Sequence, residues 1–335
     1  MNLRRPFAVA VLMIGALTSA SAAEPREETG FGSNPGNLRM FSYVPASLAP
    51  RAPLIVVLHG CKQKAATFAR DAGWLAVADD LRLALLLPEQ KGLPRYFHDV
   101  YVFPWVVAML GANNQNACFN WFEPEHTTRD RGEALSIRQM VDAMMQRYSV
   151  NGERVYIVGL SAGAAMTAAM LAAYPERFAA GAIVAGVPYG CADSVTKALK
   201  CMHPGIDQSP DEWRRRVRGG ATGLQGRAPP VSIWHGSDDV RVAPRNFQEL
   251  VEQWTAVHGI PATPARRERN EFLMREVYTD GAFTRVESVL VENLGHAFPI
   301  RTNGTSACGR PGDFVVSVSV CAATEISRFW GLTGN

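Results

Sequence analysis

Gly159-Leu160-Ser161-Ala162-Gly163 is the stretch of sequence that decides the fold. Directly before it, Arg154–Val158 is a short run of β-branched and aromatic residues, which is typical of a buried strand. Directly after it, the alanine-rich run Ala164–Tyr174 favours a helix. A serine on so sharp a turn lies under backbone strain, and the two glycines avoid a collision between a Cβ atom and the neighbouring strand or helix. The turn therefore lifts the hydroxyl group above a sheet, beside a helix N-terminus whose amide dipoles favour negative charge.

A strand, a Gly-x-Ser-x-Gly turn and a helix, in this order, are typical of the nucleophile elbow of an α/β-hydrolase. The alternative is an ordinary β–α turn with a capping serine. The rest of the chain alternates strands with helices, which predicts the α/β class: a doubly wound, mostly parallel sheet with helices on both faces. The other predicted strands are Leu38–Val44 (an edge strand), Pro53–Leu58, Leu83–Pro88, Ala179–Ala185, Val231–His235, Arg275–Thr279 and Arg285–Val291, and the other predicted helices are Ala65–Leu81, Glu133–Tyr148, Asn246–Val257 and Thr324–Trp330.

Length and composition predict one large globular domain over residues 38–335. The chain has 335 residues, of which 47% are hydrophobic and 19% are charged, and no internal repeat or Pro/Ser-rich linker divides it. The net charge of +3 gives no sign of a nucleic-acid partner or of an electrostatic membrane anchor. We also expect no obligate protein partner.

The first 22 residues have the pattern of a secretory signal peptide. Arg4 and Arg5 form a positive region, an apolar segment too short to span a bilayer follows, and Ala20-Ser21-Ala22 is a small-residue cleavage site. A short membrane anchor is the alternative. The pattern predicts export, either to the periplasm or to the medium, and the polar, glycine-rich residues 23–37 are expected to form a flexible mature N-terminus.

The even number of cysteines is consistent with disulfides in an exported protein. The six residues are Cys61, Cys118, Cys191, Cys201, Cys308 and Cys321. Short loops favour Cys191–Cys201 and Cys308–Cys321, which leaves Cys61 with Cys118, although sequence alone does not choose among the pairings. Buried free thiols are the alternative. No cysteine or histidine cluster has the spacing of a zinc site, and neither a metal nor an organic cofactor is expected.

Two segments do not follow the alternation of strands and helices. Residues 91–117 hold many aromatic and aliphatic side chains followed by a polar run, and we interpret them as an insertion with a short helix or hairpin. Such an insertion serves either local packing or an apolar rim of the active site. Residues 191–229 are rich in turn-forming and charged residues, and we interpret them as an excursion between two strands of the sheet. A partial lid over the site is one interpretation of this excursion.

A serine hydroxyl is a poor nucleophile at neutral pH, so it needs a general base that is oriented by a carboxylate. In an α/β-hydrolase the chain order is serine, acid, histidine. Asp238 and Asp239 lie just beyond the predicted strand Val231–His235, at the edge where active sites of open α/β sheets form. The spacing His-Gly-x-x-Asp-x-x-Val favours Asp239 as the acid, because it leaves Val242 to anchor the loop. Asp238 then bonds its own backbone in the turn.

Two histidines follow these aspartates, His258 and His296. His258 ends an amphipathic helix, where a histidine complements the helix dipole. His296 follows Gly295 in a loop that is free to reach the elbow, so we predict that His296 is the base. The remaining histidines at strand ends, His59 and His235, are interpreted as structural.

An oxyanion hole requires two backbone N–H groups near the nucleophile. One is predicted at Ala162, which follows Ser161, and the other at Cys61 in the loop His59-Gly60-Cys61 after an earlier strand. A disulfide at Cys61 would stiffen that loop.

With these residues the chain resembles the polyhydroxybutyrate depolymerase family of esterases, which is related to feruloyl and acetylxylan esterases. The pieces that carry the resemblance span residues 38–332 and are specific in combination: Leu58-His59-Gly60-Cys61-Lys62-Gln63, Gly73-Trp74, Pro88-Glu89-Gln90, Cys118-Phe119-Asn120-Trp121-Phe122, Gly159 to Met166, Tyr174-Pro175, Phe178 to Ala182, His235-Gly236-x-x-Asp239-x-x-Val242, Gly295 to Pro299 and Phe329 to Leu332. In the family pattern a short loop joins the Pro-Glu-Gln and Cys-x-Asn-Trp pieces, whereas residues 91–117 intervene here.

The resemblance implies the same catalytic set: Ser161, Asp239 and His296 as the triad, with Cys61 and Ala162 as oxyanion donors. It supports a disulfide between Cys61 and Cys118, and it implies that Trp121, to which we add Gln63, binds the substrate near the acyl or alkyl group.

The predicted function is that of a secreted serine esterase that hydrolyses short-chain polyhydroxyalkanoate polyesters or oligomers through an acyl-enzyme. A feruloyl or acetylxylan esterase on the same scaffold is the nearest alternative. A peptidase would use the same triad. A binding protein on an inactive hydrolase fold is disfavoured, because such a scaffold has no need to keep all three triad residues.

Overall fold

The structure is a computed structural model that describes residues 24–98, 100, 102–220, 228–305 and 307–333. The predicted signal peptide, residues 1–22, and residues 221–227 of the predicted excursion lie outside this part of the chain.

Ten strands form one sheet in the order β1-β2-β4-β3-β5-β6-β7-β10-β9-β8. They are β1 (Arg26–Glu28), β2 (Arg39–Tyr43), β3 (Ala52–Leu58), β4 (Ala84–Glu89), β5 (Val150–Leu160), β6 (Ala180–Val184), β7 (Val231–Gly236), β8 (Arg266–Arg269), β9 (Leu273–Asp280) and β10 (Phe283–Val291), and a separate pair is formed by β11 (Phe298–Ile300) and β12 (Val315–Ser317).

The centre of the sheet is parallel and its two edges are antiparallel. The six strands β4, β3, β5, β6, β7 and β10 pair in parallel, while β2 and β1 on one side and β9 and β8 on the other add antiparallel pairs. The central strands β3 and β4 are buried along their whole length, as expected for strands that are covered on both faces. The predicted mostly parallel α/β sheet is therefore confirmed.

Helices cover both faces of this sheet. Along β3, Leu54, Val56 and Leu58 face one apolar cluster and Ile55 and Val57 face another, which is the alternation that a pleated strand imposes. The helices are α1 (Ala65–Asp71), α2 (Trp74–Leu81), α3 (Pro104–Met109), α4 (Pro124–Thr127), α5 (Gly132–Arg147), α6 (Ala162–Ala173), α7 (Val195–Met202), α8 (Pro210–Gly220), α9 (Arg245–His258) and α10 (Ala322–Phe329). The first cluster includes side chains of α5, α6 and α9, and the second includes those of α1, α2 and α10.

The predicted helix Ala65–Leu81 is wrong as a single element, because the chain breaks it into α1 and α2. Gly73 has a φ angle of +86°, which L side chains rarely adopt and which ends the helical path. A Cβ atom on Gly73 would also lie 3.1 Å from the backbone nitrogen of Gly309. The periodicity of apolar residues continues through the break, so the pattern alone does not reveal it.

The N-terminal region also differs from the prediction. Residues 24–37 were expected to be flexible, yet Arg26–Glu28 pairs with β2 as the outermost strand, so the edge strand is β1 and not β2. Glu28 accepts hydrogen bonds from Ser42 and Tyr148, and the Gly36 N–H group donates to Ser136 Oγ. Polar composition does not predict these contacts, because the partners lie far away in the sequence.

The insertion and the excursion are both short helical segments joined by loops. Residues 91–117 contain a 3₁₀ turn at Arg95–Phe97 and helix α3. The described part of residues 191–229 contains α7 and α8. Among the described residues, none of the helices has the length and apolar character needed to cross a bilayer.

Candidate active site

The elbow between β5 and α6 holds Ser161 in a strained backbone conformation. Its φ and ψ angles are +57° and −119°, which an L residue adopts only where the surroundings enforce it. A Cβ atom on Gly159 would lie 2.2 Å from the carbonyl oxygen of Gly163, and one on Gly163 would lie 2.4 Å from that of Leu58. Both glycines are therefore required by the close approach of β3, β5 and α6, as the sequence pattern predicts.

Three side chains that are distant in sequence meet at this elbow. The Nε2 atom of His296 lies 2.8 Å from the hydroxyl oxygen of Ser161, and the Nδ1 atom of His296 lies 2.7 Å from Oδ2 of Asp239. An ionised aspartate only accepts hydrogen bonds, so Nδ1 carries the proton and Nε2 is left to accept from Ser161. The arrangement has the geometry of a nucleophile, a general base and an orienting acid.

The loop after β7 fixes the carboxylate of Asp239. Its other oxygen, Oδ1, accepts hydrogen bonds of 2.9 Å from the backbone N–H groups of Arg241 and Val242. Burial acts to raise the pKa of Asp239, but the hydrogen bond and charge of His296 and the N–H group of Val242 outweigh it, so the pKa lies below its usual value. Asp239 is therefore ionised at neutral pH.

His235 also holds the loop after β7 that carries Asp239. Its Nε2 atom lies 2.9 Å from the carbonyl oxygen of Val242 and 3.4 Å from Oδ2 of Asp239. Burial lowers the pKa of His235, so the ring is neutral and donates from Nε2 to the carbonyl. The two rejected candidates lie elsewhere: Asp238 accepts from Ser237, and Nε2 of His258 lies 3.2 Å from the carbonyl oxygen of Pro229.

The predicted oxyanion loop lies directly beside the elbow. A Cβ atom on Gly60 would be 3.5 Å from the Cβ atom of Ser161, and Cys61 lines the same cavity as Ser161. Nε2 of His59 accepts from the Gln90 N–H group, so Nδ1 donates to the carbonyl oxygen of Gly60 at 2.7 Å. That carbonyl belongs to the peptide unit whose N–H group is the predicted donor of Cys61. The strand-end position of His59 therefore orients this donor.

Gln63 has a different role from the predicted one. It is buried, and both ends of its amide are engaged: Oε1 accepts from the Gly60 N–H group at 2.7 Å, and Nε2 donates to the carbonyl oxygen of Asp313 at 2.5 Å. Gln63 does line a neighbouring cavity of about 520 Å³, but no triad residue lines that cavity. We therefore assign Gln63 to holding the oxyanion loop and not to substrate contact.

Trp121 is half-buried in an apolar cluster beside the site. The cluster contains Ala165, Val187, Trp213 and the Cys191–Cys201 pair, with Met202 packed against it. Met202 lines the cavity over Ser161, whereas Trp121 does not. Trp121 thus packs beside the wall that Met202 contributes, and its contact with the substrate stays a prediction.

One buried carboxyl group was not predicted from the sequence. Glu133, at the start of α5, accepts hydrogen bonds from the Gln90 side chain and from both the backbone and the side chain of Asn120. Complete burial raises its pKa to about 8, against the effect of these hydrogen bonds. Glu133 thus ties the loop that carries Cys118 and Trp121 to the end of β4. A glutamate in the first turn of a helix gave no signal of this role.

The three disulfides are Cys191–Cys201 and Cys308–Cys321, the pairs that short loops favour, and Cys61–Cys118, the pair that remained and that the family resemblance implies. Cys61–Cys118 connects the oxyanion loop to the end of the insertion, where the Lys62 N–H group also donates to the carbonyl oxygen of Asn116 at 2.7 Å. Both ends of this link are adjacent to the site.

Removal of the Cys61–Cys118 bond is expected to lower stability and activity together. The bond closes a loop with a sequence separation of 57, against 10 for Cys191–Cys201, and chain entropy assigns about 4 and about 3 kcal/mol to loops of these lengths. We expect Cys61→Ala/Cys118→Ala to lose more stability in urea unfolding and to lower kcat for p-nitrophenyl butyrate. The matched control Cys191→Ala/Cys201→Ala should lose less stability and keep its kcat. An unchanged kcat without Cys61–Cys118 would contradict a role for this bond at the oxyanion loop.

The cavity over Ser161 is small and open to solvent. It has a volume of about 290 Å³, at the lower end of the range for small-molecule sites. Its lining residues are Gly60, Cys61, Lys62, Leu160, Ser161, Met202, Arg241, His296 and Phe314. Among the described residues there is no group of three or more His, Cys, Asp or Glu side chains that could hold a metal ion.

The sheet and the strained serine at its carboxyl edge define the class of this protein as an α/β-hydrolase. Residues 38–275 match the family model described as "Esterase PHB depolymerase". The chain is 41% identical to poly(3-hydroxyalkanoate) depolymerase C of Paucimonas lemoignei over 99% of its own length and 76% of that protein. The chain therefore belongs to the PHB depolymerase family of esterases.

Other relatives agree with the esterase class. Feruloyl esterase B of Neurospora crassa is 31% identical over 85% of this chain and 92% of its own length. An acetyl xylan esterase from Aspergillus awamori superimposes with a TM-score of 0.74 at 22% identity, covering 92% of this chain and all of that one, and it supports the fold alone. The comparisons thus support an esterase and confirm the resemblance that the sequence motifs carry.

Proposed function

We propose that this protein is a secreted serine esterase that hydrolyses short-chain polyhydroxyalkanoate polyesters or their oligomers through an acyl-enzyme. The observation that carries the proposal is the hydrogen-bonded chain Ser161–His296–Asp239 on a scaffold of the PHB depolymerase family. The assignment of the substrate is supported by the 41% identity to a poly(3-hydroxyalkanoate) depolymerase.

In the proposed mechanism, Ser161 Oγ attacks the ester carbonyl carbon while Nε2 of His296 takes the hydroxyl proton. The backbone N–H groups of Cys61 and Ala162 stabilise the negative charge that develops on the carbonyl oxygen. His296 then gives the proton to the leaving alcohol, and an acyl-enzyme remains. Water, deprotonated by His296, releases the acid and restores Ser161. Asp239 holds the ring in the required tautomer and stabilises the imidazolium form.

The insertion supports an insoluble polyester as a substrate. Tyr96, Val100, Phe103, Trp105, Met109 and Leu110 are all more than half exposed, although they are large apolar side chains. Residues 100–117 carry no charged side chain. This surface is fixed to the site by the Cys61–Cys118 bond and by an ion pair between Arg95 and Asp313. An uncharged apolar surface that is linked to the oxyanion loop fits a neutral aliphatic polyester better than a hydrated polysaccharide.

We expect the double variant Trp105→Ser/Met109→Ser to bind amorphous poly(3-hydroxybutyrate) granules several-fold more weakly, because both side chains are exposed and apolar, at 65% and 71%. Its kcat/KM for soluble p-nitrophenyl butyrate should not change. Phe283→Ser is the matched control, since Phe283 is 64% exposed at the start of β10, opposite the carboxyl edge of the sheet. Equal granule binding by all three proteins in a pelleting assay would rule out this role of the insertion.

Export is supported by the pattern of residues 1–22 and by the three disulfides. Disulfides persist in oxidising compartments. N-terminal sequencing of the exported protein should find a mature chain that starts near Ala23.

The experiment that tests the function measures the acid released from amorphous poly(3-hydroxybutyrate), methyl ferulate and p-nitrophenyl butyrate. Release from the polyester supports the proposal. Activity on the ferulate without activity on the polyester would instead identify the enzyme as a feruloyl esterase, which is the name of a relative with 31% identity. A chain that hydrolyses none of the esters would not be an esterase of this mechanism.

A further inference from the structure

Two positive side chains and no carboxylate are found among the residues that line the cavity over Ser161. The cations are Lys62, on the oxyanion loop, and Arg241, on the loop that carries Asp239. Asp313 pairs with Arg95, and the carboxylate of Asp238 accepts from the hydroxyl group of Ser237. Asp239 bonds His296 and does not line the cavity. The acidic and basic side chains of Asp, Glu, Lys and Arg type that line this cavity are therefore cations alone.

Arg241 is held in place without an acidic partner among the described residues. Its guanidinium group lies 5.2 Å from the centre of the Phe314 ring, and no described carboxylate is within ion-pair distance of it. Many other arginines among the described residues are ion-paired; Arg275, for example, lies 2.7 Å from Glu325. The planar guanidinium group has five N–H donors and is suited to binding a carboxylate through two hydrogen bonds.

The position of Arg241 indicates which part of a substrate it meets. Phe314 packs edge-on against the ring of His296, with 5.9 Å between ring centres, so Arg241 lies on the histidine side of the cavity. His296 is the group that protonates the leaving alcohol. The predicted oxyanion donors, Cys61 and Ala162, serve the carbonyl oxygen instead. A carboxylate at Arg241 would therefore belong to the leaving alcohol.

We propose that Arg241 binds the terminal carboxylate of hydroxy-acid oligomers and so directs cleavage to the last ester bond of the chain. The inference rests on the proposed function. A leaving alcohol that carries a carboxylate is a hydroxy acid, which is the chemistry of a polyhydroxyalkanoate chain end. The cavity of about 290 Å³ is small enough for the carboxylate to lie close to the scissile bond.

Cleavage at this chain end transfers the acyl group from the terminal hydroxy acid first to Ser161 and then to water. Ser161 Oγ bonds to the carbonyl carbon, and the bond from that carbon to the hydroxyl oxygen of the terminal unit breaks. The proton of Ser161 passes through His296 to that oxygen, and the terminal unit leaves as a free hydroxy acid with its carboxylate on Arg241. Water then supplies OH to the acyl carbon and a proton to Ser161, which leaves the shortened chain with a new terminal carboxylic acid.

The test compares kcat/KM for the linear 3-hydroxybutyrate dimer as the free acid and as its methyl ester. A hydrogen-bonded charge pair of this kind is worth a factor of about 10 to 100 in binding. The wild type should favour the acid by about this factor, and Arg241→Gln should lose the preference by slowing only the acid. Arg241→Lys should retain part of it. The Arg241→Gln change keeps the backbone N–H group that donates to Asp239. An unchanged kcat/KM for the methyl ester therefore shows that the triad is intact.

Arg154→Gln is the matched control, because Arg154 is an exposed arginine on β5, at the end away from the elbow. It removes the same charge and should keep the wild-type preference. A wild type without preference for the acid, or a preference that survives in Arg241→Gln, overturns the inference while the proposed function stands.

A second readout separates this inference from the proposed function. If neither dimer is cleaved but p-nitrophenyl butyrate is, the proposed substrate is wrong. Inhibition of p-nitrophenyl butyrate hydrolysis by 3-hydroxybutyrate and by methyl 3-hydroxybutyrate then tests Arg241 directly. The inhibition constant of the anion should rise about 10- to 100-fold in Arg241→Gln, with no change for the methyl ester. An unchanged constant for the anion would refute the carboxylate site.

Discussion

Replacement of Ser161 by alanine is expected to lower kcat for p-nitrophenyl butyrate by about 10⁶-fold, the size of loss seen when the nucleophile of a serine triad is removed. No other hydroxyl group lines the cavity among the described residues. The remaining activity should come from substrate binding and the two oxyanion donors alone. The measurement is the steady-state rate, together with labelling by a fluorophosphonate probe, which requires the serine oxygen.

The Ser161→Ala protein should remain folded. Serine and alanine both have a Cβ atom, so the substitution adds no steric conflict to the strained backbone, whose φ angle is +57°. Ser237→Ala is the matched control, because Ser237 lies in the Asp239 loop and bonds Asp238 but does not line the cavity. It should keep both activity and labelling. A Ser161→Ala protein that is fully active, or that still binds the probe covalently, would refute the assignment of the nucleophile.

Replacement of Asp239 by asparagine is expected to lower kcat by about 10⁴-fold. An asparagine amide that faces Nδ1 of His296 as a donor favours the tautomer with the proton on Nε2, which cannot accept the proton of Ser161. The present distances of 2.7 Å to Asp239 and 2.8 Å to Ser161 require the opposite tautomer. The loss should appear in kcat with little change in KM.

Asp238→Asn separates the two aspartates of the loop. Both changes are isosteric and both remove one negative charge, yet only Asp239 contacts His296. We expect Asp238→Asn to keep nearly full activity. A larger loss in Asp238→Asn than in Asp239→Asn would exchange their roles. Urea unfolding of both variants checks that the loop remains in place.

Local sequence was sufficient for the elbow and for the order of the candidate triad. Gly159 is required by a contact between β5 and the helix that follows it, made within a few residues of Ser161. Gly163 is required by the approach of Leu58 on β3, but the Gly-x-Ser-x-Gly pattern already contains it. The position of Asp239 and His296 after parallel strands places both at one edge of the sheet. Such rules depend on chain direction and spacing, which the sequence contains in full.

Other features depend on partners that lie far apart in the chain. Gln63 was expected at the substrate, but its amide is used by Gly60 and by Asp313, which follows it by 250 residues. Glu133 is buried because Gln90 and Asn120 surround it. Arg26–Glu28 forms the outermost strand because it pairs with the edge of β2. Composition does not determine such contacts, because they form only when the sheet has assembled.

By itself, the sequence determined the class of this protein: a mostly parallel sheet, a strained serine at its carboxyl edge, and an acid and a base in the loops that follow. Only the tertiary structure decided which side chains surround the nucleophile and what each of them contacts. It engaged the amide of Gln63 with Gly60 and set Arg241 against Phe314 in the cavity. The physical reason is the range of the interactions, because backbone sterics act between neighbours in the chain. The wall of a site is packed from segments that the sequence keeps apart.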